Sequence, residues 1–84
     1  MKPTTEVICR ELGDAAVLIH LRTNEIFELN PTGYRVWQLL HEGLDRAGIE
    51  GRLQQEFVVG QDQLRQEIAN LLAALAAKDL ILDP

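Results

Sequence analysis

Cys9, His20 and His41 are the side chains of this sequence best suited to nucleophilic or metal chemistry. A cysteine beside a histidine becomes a nucleophile when a third group orients the base and a cleft supplies oxyanion donors. Cys9 and His20 fall on neighbouring strands of the sheet argued below, so the two can approach. An 84-residue chain leaves little room for the cleft, and a small buried thiol with a sheet-face histidine explains both residues without catalysis. Metal binding fares no better, because positions 9, 20 and 41 match neither CxxC nor HxxxH spacing and structural zinc takes four ligands held close. Gly43, Gly48, Gly51 and Gly60 are scattered, with no Lys-Ser or Lys-Thr behind them, so no phosphate loop is present. The expectation is no catalytic residue, no metal and no cofactor.

The elements that position these residues change period near residue 30. Before it, β-branched and apolar residues form short runs between turn residues. Glu6 to Glu11 reads as a first strand, Gly13-Asp14 as a turn, and Ala16 to Leu21 as the strongest strand. In that strand Val17, Ile19 and Leu21 share one face, and Leu18 and His20 share the other. Arg22-Thr23-Asn24 suits a tight hairpin, with Asn24 left-handed. Glu25 to Leu29 is the third strand, Phe27 and Leu29 on one face, Ile26 and Glu28 on the other.

Asn30-Pro31 then opens a helix, Asn as N-cap and Pro where its missing N–H costs nothing. Val36, Trp37, Leu39 and Leu40 form its buried stripe, Tyr34 its aromatic rim, and Gly43 its terminator. Asp45 caps a second helix with Ile49, Leu53 and Phe57 on one face. Gly48 and Gly51 each cost it roughly 0.5–1 kcal/mol relative to Ala. A third helix spans about Gln61 to Lys78, with the stripe Leu64, Ile68, Leu71, Leu72 and Leu75. Leu80-Ile81-Leu82 returns against the core. The layout is α+β, a three-stranded antiparallel sheet followed by three helices (β-β-β-α-α-α), similar to a winged helix-turn-helix domain with its sheet first.

Composition fits one small folded domain over residues 1–84. With 8 Lys+Arg against 13 Asp+Glu the net charge is −5, and 46% of residues are apolar. That apolar fraction is too high for a disordered chain. The single cysteine excludes an internal disulfide and points to a reducing, cytoplasmic setting. Met1 to Glu6 does not read as a signal peptide, and no apolar run approaches the roughly 20 residues that span a bilayer. A DNA-reading helix needs basic neighbours for phosphates. The third helix instead begins Gln61-Asp62-Gln63-Leu64-Arg65-Gln66-Glu67. The feature left over is the third strand, short and apolar on both faces, whose free edge can template another strand.

The run from Val17 to Gly33, ending Leu29-Asn30-Pro31-Thr32-Gly33, followed by Val36-Trp37-Gln38-Leu39-Leu40, resembles the PqqD family of precursor-peptide recognition elements. The resemblance continues through Ile49, Leu53, Phe57, Leu71 and Leu75 to Asp79-Leu80-Ile81. The chain departs from it at Asn24, where the family often has Gly, and at Gly48 and Gly51. Within the family it looks most like the discrete leader-binding proteins of lasso-peptide biosynthesis. The resemblance implies non-catalytic binding of the leader of a ribosomally made precursor, as a strand antiparallel to the third strand in a groove against the third helix. Carried over, the ladder partners are Glu25, Ile26, Phe27, Glu28 and Leu29, with Ile26 or Phe27 at the groove floor. The wall comes from Leu64, Ile68, Leu71 and Leu75, and Glu25, Glu28 and Glu67 face basic leader residues. The implied partners are the precursor leader, a separate leader peptidase of the transglutaminase-like cysteine protease type, and the lasso cyclase, with no nucleic acid and no membrane. The alternatives are a chaperone for the precursor of the quinone cofactor PQQ and a winged-helix DNA-binding regulator.

Overall fold

The computed structural model describes residues 1–82. Its elements are β1 (Lys2–Pro3), β2 (Val7–Leu12), β3 (Ala15–His20), β4 (Ile26–Leu29), α1 (Pro31–His41), α2 (Arg46–Glu56), α3 (Gln61–Ala77) and β5 (Ile81–Leu82). The expected α+β meander is β2-β3-β4, antiparallel throughout. Turn chemistry sets its register. Gly13 (φ 68°) closes the first hairpin and Asn24 (φ 62°) the second, both left-handed. His20 reinforces the second turn, its buried Nδ1 accepting from the backbone N–H of Arg22 at 3.1 Å and of Thr23 at 3.4 Å.

The helices start where side-chain oxygens can replace missing backbone partners. Asn30 Oδ1 accepts from the Gly33 N–H at 2.7 Å, and Asp45 Oδ1 from the Gly48 N–H at 2.8 Å. Each such cap is worth about 1 kcal/mol. A Cβ on Gly48 would sit 3.3 Å from Asp45 Oδ1 and 3.4 Å from Leu44, so this glycine fits a crowded cap. Gly43 (φ 87°) ends α1, and Asp79 (φ 56°) turns the chain out of α3.

All three helices lie on one side of the sheet. The core between them joins Ala16, Leu18 and Leu29 to Val36, Trp37, Leu39, Leu40, Ile49, Leu53, Leu64, Ile68, Leu72, Leu75, Leu80 and Ile81. β3 alternates accordingly: Ala16, Leu18 and His20 are buried, and Val17 and Ile19 less so. The return of Leu80-Ile81-Leu82 is a strand pairing with β1 in a separate two-stranded sheet. Trp37 is buried and meets His41 edge-on at 5.0 Å between ring centroids, while Tyr34 donates to Glu11 Oε1 at 2.6 Å.

Candidate functional site

β4 forms one edge of the three-stranded sheet. His20 N–H donates to the Glu25 carbonyl at 2.9 Å, and pairing then continues Ile19 with Ile26, Leu18 with Phe27, Val17 with Glu28 and Ala16 with Leu29. In an antiparallel ladder bonded and unbonded pairs alternate. Phe27 and Leu29 therefore spend their backbone groups on β3, and Ile26 and Glu28 direct theirs to the open edge. The side chains follow the opposite logic, Phe27 and Leu29 toward the helices and Ile26 and Glu28 away from them.

Beside this edge lies a cavity of about 690 Å³ between β4, the start of α1 and the middle of α3. Phe27, Leu29, Val36, Ile68 and Leu71 supply its apolar lining, and Ala15 extends it. Asn30, Pro31, Thr32 and Gly33 form one end, and Glu28, Glu67 and Asn70 supply polar borders. A Cβ on Gly33 would crowd Asn30 Oδ1 at 3.2 Å and Leu29 Cδ2 at 3.3 Å and touch Leu71 Cδ2 at 3.6 Å, so this glycine fits the crowded cap of α1 beside the groove. The volume suits a few side chains of an extended peptide. A second cavity, about 590 Å³ against β1 and the end of α1 and lined in part by Lys2 and His41, borders no open edge of the three-stranded sheet.

The structure gathers Phe27, Glu28, Leu29, Glu67, Ile68 and Leu71 around the groove. It separates the others. Leu64 and Leu75 are 1% and 0% exposed and belong to the core, not to the groove wall. Ile26 is 63% exposed on the outer face of the sheet, so it offers the site its backbone but not a floor. Glu25 is held by Lys78 at 2.6 Å, an ion pair from the residue before β4 to the C-cap of α3. That contact lowers the Glu25 pKa, first through the hydrogen bond and then through the charge of Lys78. Glu67 accepts from Gln63 Nε2 at 3.2 Å. Asn30 to Gly33, Val36 and Asn70 were not singled out as lining. The signal for the first four was present, since Asn-Pro-Thr-Gly was read as a helix start and a helix start beside an edge strand also ends a groove.

Cys9 and His20 do not form a catalytic pair. Cys9 pairs with Leu18 and His20 with Val7, and the Nδ1 of His20 is committed to the hairpin turn. Cys9 is exposed rather than buried, because β2 is the edge strand far from the helices' main contacts. Desolvation first, and the charge of Glu11 second, raise its pKa, the opposite of what activates a thiol. Among the described residues no three His, Cys, Asp or Glu side chains could together hold a metal ion. Among them too, no helix is long and apolar enough to cross a membrane.

Comparison with solved structures finds the same fold holding peptides. The structure "TbiB1 in Complex with the TbiA(beta) Leader Peptide" is 32% identical, with a TM-score of 0.90 over 100% of this chain and 98% of that one. "Lasso peptide synthetase B1 complexed with the leader peptide" is 25% identical, with a TM-score of 0.83 over 96% of this chain and 95% of that one. A search of curated protein sequences finds no match. The family described as "Coenzyme PQQ synthesis protein D (PqqD)" matches residues 15–81. That span runs from β3 through β5 and takes in the edge strand, the Asn-Pro-Thr-Gly turn and the groove face of α3. This chain belongs to the PqqD family.

Proposed function

We propose that the protein binds the leader segment of a lasso precursor peptide and presents it to a separate leader peptidase, without cutting it. The observation that carries this reading is the open backbone of Ile26 and Glu28 beside an apolar cavity lined by Phe27, Leu29 and Leu71. Support comes from the relatives of 32% and 25% identity, whose structures contain leader peptides. The leader lies antiparallel to β4 and places alternate side chains into the groove.

Magnitudes explain why the groove must be apolar. Ordering about eight leader residues costs on the order of 8–16 kcal/mol of backbone entropy. Roughly five ladder bonds return only about 0.5–1.5 kcal/mol each. Apolar anchors, at about 1.5–3 kcal/mol per buried side chain, supply the remainder. Two or three anchors therefore dominate affinity, and backbone pairing sets register. Glu67 favours basic residues at the rim, where exposed pairs add little, whereas Glu28, whose side chain faces away from the helices, offers the leader its backbone. Glu25, occupied by Lys78, contributes less than Glu67.

The family's description favours a second reading, a carrier for the precursor of a quinone cofactor. Mixing precursor, the separate peptidase and this chain distinguishes the two. The lasso reading expects cleavage of a lasso precursor to accelerate only when this chain is present, and precursor with this chain alone to stay intact. Cleavage at the same rate with and without the chain would contradict it. A DNA-binding role gains nothing from α3, whose first two turns hold Asp62 and Glu67 beside a single Arg65.

A further inference from the structure

Ile8, Ile19 and Ile26 stand in one row across the sheet, because β2 pairs Ile8 with Ile19 and β3 pairs Ile19 with Ile26. Partners across an antiparallel ladder share a face, and this face looks away from the helices. Ile8 is 41% exposed, Ile26 63%, Leu12 61% and Leu21 55%. Two residues along, the next row reads Arg10, Val17, Glu28. The result is an aliphatic face crossed by one charged row, positive at the β2 edge and negative at the β4 edge.

Those two charges differ from all their kind. Among the described residues, Arg22, Arg35, Arg46, Arg52 and Arg65 each lie within 4 Å of a glutamate, and Arg10 alone does not. Glu6, Glu25, Glu42, Glu50 and Glu56 are ion-paired, and Glu11 and Glu67 accept side-chain hydrogen bonds. Glu28 has neither. The unpaired Arg and the unpaired Glu thus occupy opposite ends of one row, with Val17 between them.

We propose that this face is a self-association surface on which a second copy of the chain docks. A two-fold axis parallel to the strands, lying between two sheets about 10 Å apart, sets β2 of one copy over β4 of the other. Val17 then faces Val17, Ile19 faces Ile19, and Ile8 faces Ile26. The same operation sets Arg10 over Glu28 twice. The roughly −30° angle of aligned sheets changes the outer contacts but keeps the centre. The face measures roughly 300–400 Å² per copy from strand spacing and rise, below the roughly 800 Å² per partner of stable dimers. The chain's charge of −5 also opposes pairing, so association is weak and reversible. The leader groove lies on the opposite, helix-covered side of the sheet and stays open.

Sedimentation velocity from about 10 µM to about 1 mM reads this association directly. The wild-type chain is expected to shift toward dimer with concentration. Arg10→Glu and Glu28→Arg should each weaken association about 10-fold or more, because each replaces two attractive pairs by two repulsive ones. An equimolar mixture of the two variants restores both pairs and should recover association to within about threefold of wild type. Ile19→Lys, with its fold checked by circular dichroism, should stay monomeric. A wild-type chain that remains monomeric throughout, charge reversals without effect, or a mixture as weak as its components would each overturn the proposal.

Discussion

Leu71→Asp is expected to weaken leader binding by about 100-fold, roughly 3 kcal/mol, while leaving the chain folded. Leu71 is half-buried on the flank of α3 and lines the groove. An anchor side chain entering the groove completes its burial. A carboxylate at that position loses the apolar contact and must itself be desolvated when the leader lies over it, so the two costs add. The unliganded protein is affected little, because the carboxylate remains in water and only a weak i,i+4 repulsion with Glu67 appears. Leu75→Ala is the contrasting case. Leu75 is fully buried in the core, so its truncation should cost about 2–5 kcal/mol of stability and reduce leader binding only through the folded fraction. Calorimetric titration with parallel urea denaturation separates the two. Similar loss of affinity from both substitutions, at equal folded fraction, would remove Leu71 from the binding surface.

Glu28→Pro is the second large expected effect. Proline has no N–H and is tolerated in a strand only where that N–H faces the open edge. Glu28 occupies such a position in β4 by the alternation described above, whereas Phe27 pairs inward with Leu18. Glu28→Pro should therefore retain the fold and weaken the leader by roughly 10- to 100-fold, through a lost ladder bond and a ring standing in the path of the added strand. Phe27→Pro should instead disrupt the β3–β4 ladder and unfold the protein. Glu28→Gln keeps the backbone donor and should bind within about threefold of wild type, since an exposed rim charge contributes little. Thermal denaturation and calorimetry of the three variants check this ordering. A Glu28→Pro protein that binds as tightly as wild type would place the leader away from β4.

Much of this architecture is legible in the residues themselves, for local reasons. Asn24 and Gly13 mark turns by their tolerance of positive φ, and Asn30 and Asp45 mark helix starts by their capping oxygens. Alternation through Val17 to His20 and Ile26 to Leu29 gives the strand faces. What escaped depends on neighbours distant in sequence. β1 is two residues of Lys and Pro with no strand signal, and it exists because Ile81 and Leu82 come back beside it. Asp79 turns left-handed after α3, a conformation Asp tolerates, where no Gly marks the stop. Cys9 has the pattern of a buried strand residue but lies on a strand the helices barely cover.

The site shows the same division. The stripe on α3 predicts that Leu64, Ile68, Leu71, Leu72 and Leu75 face inward, but a stripe this wide does not say where core ends and groove begins. Only the position of α1 decides. Ile68 and Leu71 reach the groove lining, while Leu64, Leu72 and Leu75 sink into the core. A strand apolar on both faces hides which face is covered, and Ile26 stands on the uncovered one. Cys9 is exposed with its pKa raised, and the Nδ1 of His20 accepts from the hairpin that leads into β4.

Pairing of a leader with the free edge of β4, its side chains filling the groove against α3, is open to direct test. Titrating the isotope-labelled chain with the TbiA(beta) leader peptide, the ligand held by the 32%-identical relative, and following backbone amide resonances tests it most directly. Saturable shifts are expected, concentrated at Ile26 to Gly33 and at Glu67 to Leu71, with contacts between peptide amides and the backbone of Ile26 and Glu28. Absence of shifts at millimolar peptide, or saturable shifts confined to α2 or to the outer row of Ile8 and Ile19, would contradict it.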